Sequence, residues 1–422
     1  MLLSDILSQT ETRIAPVMVW IYGGGFTLGY KSEYDATGLI AQSQANGAEG
    51  MIFVAMNYRL GLFGWLSGPT FQEQSGTGNA GLWDQRLALE WVQTYIRLFG
   101  GDPNRVTVMG ESAGGSSVLH QITAYGGVAK APFQQAISQS PAFLPTGNST
   151  LEDDLFETVL EYASFVTNGS IISLSELREL PTASLQEINF LATWNSPYGQ
   201  FTFGPTVDGD FVPVLLGVLL KNGQFDHSLK IMVGHNSNEG EMFTPPYVTN
   251  ETAFDAFLRT YQIPAASDAV VEYVETVLYP PVFDGTYPYA TEFERMSLLI
   301  AECVITCNTR YLDLAFKNDT YAYLFDIPPG LHGVDLSYTF YNGYTSTLDD
   351  GVAVNGTTAI AFQDYITAFV LTGNPNGAGR PEFSVYGADS IVLDIDYNLD
   401  GATQVDPVAN IRCAWWQEGL FT

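Results

Sequence analysis

In Arg105-Val-Thr-Val-Met-Gly-Glu-Ser-Ala-Gly-Gly115, an apolar, β-branched run stops at Gly110, and Ser112 follows just before a helix-compatible stretch. This strand–turn–helix layout is that of a nucleophile elbow, a sharp turn that holds a serine hydroxyl clear of the backbone. Gly110-Glu111-Ser112-Ala113-Gly114 places small residues around the serine, as a strained turn with chain passing close by requires. The bare pattern is weak, since chance supplies it roughly 0.3 times in a chain of this composition. Its weight comes from the strand before it, from its single occurrence, and from partners elsewhere in workable order.

Outward from the elbow, strand-like runs alternate with helical stretches. Val17–Tyr22, Met51–Met56, Val106–Met109, Gln135–Ser138, Lys230–Val233 and Tyr321–Phe325 are short, apolar and bounded by Gly, Pro or Asn. Continuous apolar runs of this kind suit a parallel sheet covered on both faces. Leu82–Leu98 reads as an amphipathic helix between two of them. The expected fold is α/β, an open, mostly parallel twisted sheet with helices on both faces and sites at the carboxyl ends of its strands. Without a linker, repeat or low-complexity tract to cut at, 1–422 reads as one domain. Stretches 144–204 and 242–298 lack the alternation; they are expected insertions that either roof a site or add core. Leu151–Leu180 reads as helical.

Composition narrows the function classes. The chain has 422 residues, 46% of them hydrophobic, enough for a large core. Its 46 acidic against 16 basic residues, a formal charge of -30, argue against nucleic acid and anionic membranes as partners. The longest apolar run, Phe211–Leu220, is about half of what a membrane-spanning helix needs. The opening Met1-Leu-Leu-Ser-Asp5 meets an acid too early for a signal-peptide core. Yet Asn148, Asn168, Asn250, Asn318 and Asn355 all stand in N-x-[ST] sequons, against about three expected by chance, a mild sign of secretion.

A serine hydroxyl needs a general base, usually a histidine held by a carboxylate. For this elbow the chain order is nucleophile, acid, histidine. Of the four histidines, His120 lies on the helix after the elbow and reads as structural, and His227 reads as a lone exposed side chain. His235 lies in Lys230–Gly240, the segment that also offers an acid. His332 follows the Tyr321–Phe325 strand by a loop and is the only histidine after a downstream acid. For the acid, Glu239 follows a strand, with Gly240 permitting a tight turn; Asp208 and Asp335 are rivals. Oxyanion stabilisation needs bare backbone amides. Tyr22-Gly-Gly-Gly-Phe26 follows the first strand where such a loop belongs, so the N–H groups of Gly24, Gly25 and Ala113 are the candidates. There is no G-x-x-x-x-G-K-[ST], no H-E-x-x-H and no Cys/His cluster, so neither a phosphate loop, a metal nor another cofactor is expected.

With these parts in place, the chain resembles the type-B carboxylesterases, the family of cholinesterases and some fungal lipases. The resemblance rests on Val19–Phe26, Asn57-Tyr-Arg-Leu-Gly-Leu-Phe-Gly64, Asn79-Ala-Gly-Leu-Trp-Asp-Gln85, Phe99–Gly115, Gly204-Pro-Thr-Val-Asp-Gly209, Asn238-Glu-Gly240 and Gly373-Asn-Pro-Asn376. It implies an α/β-hydrolase fold, a Ser112–Glu239–His332 triad and hydrolysis of small-molecule carboxylic esters through an acyl-enzyme. It further implies supporting roles for Glu111 beside the nucleophile and Ser140 near the acid, a Cys307–Cys413 disulfide with Cys303 a free, buried thiol, and a secreted glycoprotein. The family normally carries a longer segment before the oxyanion loop, so the chain is expected to be N-terminally truncated, leaving an apolar sheet edge open to pairing. The family's insertion cysteines are replaced, with Glu176 in Ser175-Glu-Leu-Arg178. The competing readings are a catalytically silent adhesion or binding module, whose members typically lose a triad residue, and a lipase or biosynthetic transesterase with the same chemistry.

Overall fold

The computed structural model describes residues 14–144, 149–344, 353–377 and 379–421. Eight strands form one sheet: β1 (Ala15–Ile21), β2 (Ile52–Ala55), β3 (Gly101–Glu111), β4 (Gln135–Gln139), β5 (Lys230–Asn236), β6 (Tyr321–Phe325), β7 (Ile391–Ile395) and β8 (Thr403–Val405). Their order is β2-β1-β3-β4-β5-β6-β7-β8, parallel throughout except for the antiparallel β8. This is the expected α/β-hydrolase architecture. Each of the six strand-like runs coincides with a strand, although Tyr22, Met51 and Met56 fall just outside; β7 and β8 are additional.

Val17 to Ile21 of β1 are fully buried on both alternating faces, which only a sheet covered on both sides allows. Trp20 packs edge-on against Tyr34 and Phe340. Helices α1 (Ala80–Tyr95) and α2 (Ala113–Thr123) flank the elbow strand; α1 continues into a 3₁₀ turn, Ile96–Phe99, covering the predicted helix. At one edge, Ile52, Phe53, Val54 and Ala55 of β2 are each half-buried, unlike their neighbours in β1.

The registers align the strand ends. Ile21 lies opposite Gly110, Glu111 opposite Gln139, Gln139 opposite Gly234 and Asn236 opposite Phe325. The loops after β1, β3, β4, β5 and β6 therefore leave the sheet at one end, where an open α/β sheet binds its ligands.

The two insertions differ. The first carries α3 (Ser149–Thr167), a short helix Leu174–Arg178 and α4 (Thr182–Trp194). The expected single helical stretch is broken at Asn168, which turns to φ 49°. Leu62 N–H donates to Asn189 Oδ1 of α4 at 2.9 Å, fastening the insertion to the main body. The second insertion chiefly adds core. It buries Phe254, Leu258, Val274 and Leu278, and the Arg295 guanidinium lies 3.8 Å over the Phe254 ring. Its helix α5 (Glu292–Ile300) continues through a π-helical turn into α6 (Cys307–Ala315).

Cys307 of α6 is bonded to Cys413 of α7 (Ile411–Gln417), with Cα atoms 5.1 Å apart. Cys303 keeps its thiol free and is half-buried, where a buried thiol was expected. Among the described residues no helix is long and apolar enough to cross a membrane. Asn168 and Asn250 are exposed, Asn318 and Asn355 half-buried, and Asn148 lies outside the described residues.

Candidate active site

Ser112 joins β3 to α2 with φ 55° and ψ -123°, a conformation side chains rarely adopt. Its N–H donates to the Gln139 carbonyl at 3.0 Å, and its carbonyl accepts from Ala142 N–H at 3.0 Å. The elbow is thus pinned to the end of β4. The small flanking residue is needed for space: a methyl group at Gly114 would collide with the Ile21 carbonyl.

Glu239 lies beyond β5 and is fully buried. Ser140 Oγ and the Asn236 N–H both donate to its Oε1 at 2.6 Å, while Oε2 meets His332 Nδ1 at 2.6 Å. Burial pushes this carboxyl up, but the His332 charge and these donors outweigh it, and the carboxyl lies below its ordinary value. Gly240 stands in a turn, as expected, but its φ of -83° is open to any residue; what calls for glycine is space, since a Cβ there would strike the Ser297 carbonyl.

His332 is carried by the loop after β6. Asn238 N–H donates to the Gly330 carbonyl at 2.8 Å, and Asn236 Nδ2 donates to the Leu331 carbonyl at 2.7 Å. Acid and histidine loops are therefore stitched together. With Nδ1 engaged by Glu239, Nε2 is buried, makes no hydrogen bond, and lies 3.4 Å from Glu111 Oε1. Burial opposes a charged imidazole, but Glu239 and Glu111 prevail and raise His332 to about 9. Burial pushes Glu111 up to about 8, with Asp335 and Glu239 adding to it and His332 opposing.

The other candidates have separate partners. Asp208 accepts from Asn79 Nδ2 and from the Asp210 and Val212 amides, holding a loop. Asp335 accepts from Tyr323 Oη at 3.1 Å and Gln139 Nε2 at 3.0 Å behind the Glu239–His332 pair. His120 is buried, with Nδ1 2.9 Å from the Ser116 carbonyl, and desolvation lowers it to about 4. His227 is exposed, and His235 faces Asp406 at 3.4 Å.

In the Tyr22–Phe26 loop, Gly24 and Gly25 adopt φ 100° and 58°. The Gly24 carbonyl turns back to accept from Leu28 N–H at 2.9 Å. Among the described residues, the amides of Gly24, Gly25 and Ala113 donate no hydrogen bond, which leaves them available to an incoming anion. No group of three or more His, Cys, Asp or Glu side chains there could hold a metal ion.

Above Ser112 opens a narrow cavity of about 70 Å³, walled by Phe26, Trp65, Phe143, Leu155, Phe201 and Phe243. Gly25 lines it too, and Phe243 packs 5.1 Å from the His332 ring. Sequence reasoning missed most of this wall, and with it Asn236, which ties the acid loop to the histidine loop. The signal for Asn236 was its place at a strand end, three residues before the acid. Phe201 and Phe243 stand in stretches without periodicity.

The sequence matches the carboxylesterase family over residues 5–416. It is 44% identical to carboxylesterase patB of Aspergillus clavatus over 410 residues, 96% of this chain and 71% of that protein. It is 35% identical to a secreted lipase of Arthroderma benhamiae over 349 residues, 77% of this chain and 60% of that protein. Among solved structures, EstA of Aspergillus niger superposes with a TM-score of 0.83 at 28% identity, covering 96% of this chain and 80% of that one.

Proposed function

The chain belongs to the carboxylesterase family and is a carboxylic ester hydrolase, and from that premise we propose that it works through a Ser112–His332–Glu239 triad and a covalent acyl-enzyme. The observation that carries the reading is the 2.6 Å contact between Glu239 Oε2 and His332 Nδ1. It fixes the tautomer with the proton on Nδ1, so a neutral Nε2, without a hydrogen bond among the described residues, keeps a lone pair for a proton.

The steps follow from that arrangement. Nε2 takes the Ser112 proton as Oγ bonds to the ester carbonyl carbon. The carbonyl oxygen gains the negative charge and faces the Gly24, Gly25 and Ala113 amides. The imidazolium, held by Glu239, then gives its proton to the leaving alcohol oxygen as the C–O bond breaks, which leaves acyl-Ser112. Water repeats the sequence, losing its proton to Nε2 and releasing the acid. Glu111, close to Nε2, favours the imidazolium, and Ser140 orients Glu239.

Ser112→Ala is expected to lower kcat on an aryl acetate by about 10⁴–10⁶-fold. Turnover within tenfold of the parent enzyme would refute the nucleophile. We also infer an extracellular glycoprotein, supported by the disulfide, the exposed sequons at Asn168 and Asn250, and the secreted lipases among its relatives. Protein from a eukaryotic secretory host should lose mass on treatment with an amidase specific for N-glycans; an unchanged mass contradicts this.

A further inference from the structure

Helix α3 buries one stripe, Glu152, Phe156, Val159 and Ala163, at the spacing of a single helical face. Three of these are apolar, as a helix lying on a core requires, and the first is a carboxylic acid. Glu152 is only 7% exposed and lines the cavity over Ser112. Its Oε2 is sealed from water without a hydrogen-bond partner. Ser149-x-x-Glu152 has the spacing of a capping box, in which the glutamate bonds back to the helix start. Among the described residues Glu152 makes no such bond and no ion pair, and its charged neighbour Asp153 has the same sign.

An unpaired buried carboxyl destabilises a fold, and an apolar side chain of similar size would remove that penalty. Such a residue is expected where function outweighs stability. Thr206 Oγ1, from another lining residue of the same cavity, is likewise sealed and without a partner. Burial, and after it Asp153, raises Glu152 to about 8, so at neutral pH its carboxyl is largely an O–H that both donates and accepts.

We propose that Glu152, with Thr206, is a specificity-determining residue that receives an oxygen function of the substrate, a carbonyl, ether or hydroxyl carried apart from the scissile ester. The preferred substrates are then oxygenated small-molecule esters, not plain alkyl esters. This rests on the assignment of Ser112 as nucleophile. An ammonium-bearing ester is the poorer fit, because it calls for an ionised Glu152 and burial opposes that form.

The test compares matched esters on either side of the scissile bond: para-nitrophenyl levulinate against pentanoate, and methoxyethyl acetate against butyl acetate. In the parent enzyme at least one oxygenated ester should show the higher kcat/KM. That ratio should fall about tenfold or more in Glu152→Leu and in Glu152→Met, chiefly through KM. Glu152→Gln, which keeps a donor and an acceptor, should largely hold it, and Glu152→Leu should melt at or above the parent temperature. A parent preference for both plain esters, or a ratio unmoved in both apolar variants, overturns the proposal. So does a preference for a trimethylammonio-butanoate ester that the same variants abolish. Fluorophosphonate labelling of the parent enzyme separates the two levels. Failure to label Ser112 removes the underlying assignment, whereas labelled Ser112 with an unmoved ratio removes only the role of Glu152.

Discussion

The floor of the cavity, built from strand ends, and its wall, to which the inserted helix Ser149–Thr167 contributes, each bury a glutamate, and the two carboxyls shift in opposite directions. On the floor, Glu239 has donors from Ser140, Asn236 and His332 and lies below its ordinary value. On the wall, Glu152 has none among the described residues and rises to about 8. Glu111 decides between burial and position as the cause. It belongs to the floor, yet its Oε1 has no hydrogen bond and it too rises to about 8. Burial alone pushes every carboxyl up; what keeps Glu239 charged is first the neighbouring His332 charge and then the hydrogen bonds from His332, Ser140 and the Asn236 amide. The loops after β4, β5 and β6 bring that set of groups to Glu239; among the described residues neither Glu111 at the end of β3 nor Glu152 on a helix face has a comparable set.

Removing the satisfied carboxyl has the largest expected effect. Glu239→Ala and Glu239→Gln should each lower kcat on an aryl acetate by about 10⁴-fold, because the imidazolium loses its counter-charge and the tautomer its anchor. A loss below about tenfold in both would mean that another group, with Asp335 the nearest rival, holds His332.

A smaller change follows from neutralising the floor's unsatisfied carboxyl. His332 must be neutral to act as base, so kcat/KM should rise with pH through its raised value, placing the acid limb above the ordinary histidine value of about 6.5. Glu111→Gln removes a negative neighbour, destabilises the imidazolium and should move that limb down by about one pH unit. An acid limb that stays in place, or moves upward, would show that Glu111 is not felt at Nε2.

The floor was legible in the sequence and the wall was not, for a physical reason. Elbow, oxyanion loop, acid and histidine each follow a strand, and a strand announces itself through a short apolar run bounded by turn residues. Ser112 and His332 could therefore be proposed from the pattern, whereas Glu239 stood beside Asp208 and Asp335 until the family resemblance favoured it. Even there the close approach of Ser297 to Gly240 was not legible, since contact with a distant helix leaves no local mark. The sheet itself was under-read at its far edge. Ile391–Ile395 carries Asp394 within it, and Thr403–Val405 is only three residues long, so neither shows a clear strand pattern. Glu152 reads as an ordinary first-turn helix acid; only packing reveals that it replaces an apolar residue in a buried stripe. The different parts the insertions play, the first contributing Glu152, Leu155 and Phe201 to the cavity and the second chiefly core besides Phe243, depend on long-range contacts that no local pattern encodes.

All of this presupposes that Ser112, at the centre of the floor, is an activated nucleophile. Mapping a fluorophosphonate adduct by peptide mass addresses that directly, because only an activated serine reacts. The expected result is label on the peptide carrying Ser112, with esterase activity lost in proportion to its extent. Complete inhibition with Ser112 unmodified, or label confined to another serine, would contradict it.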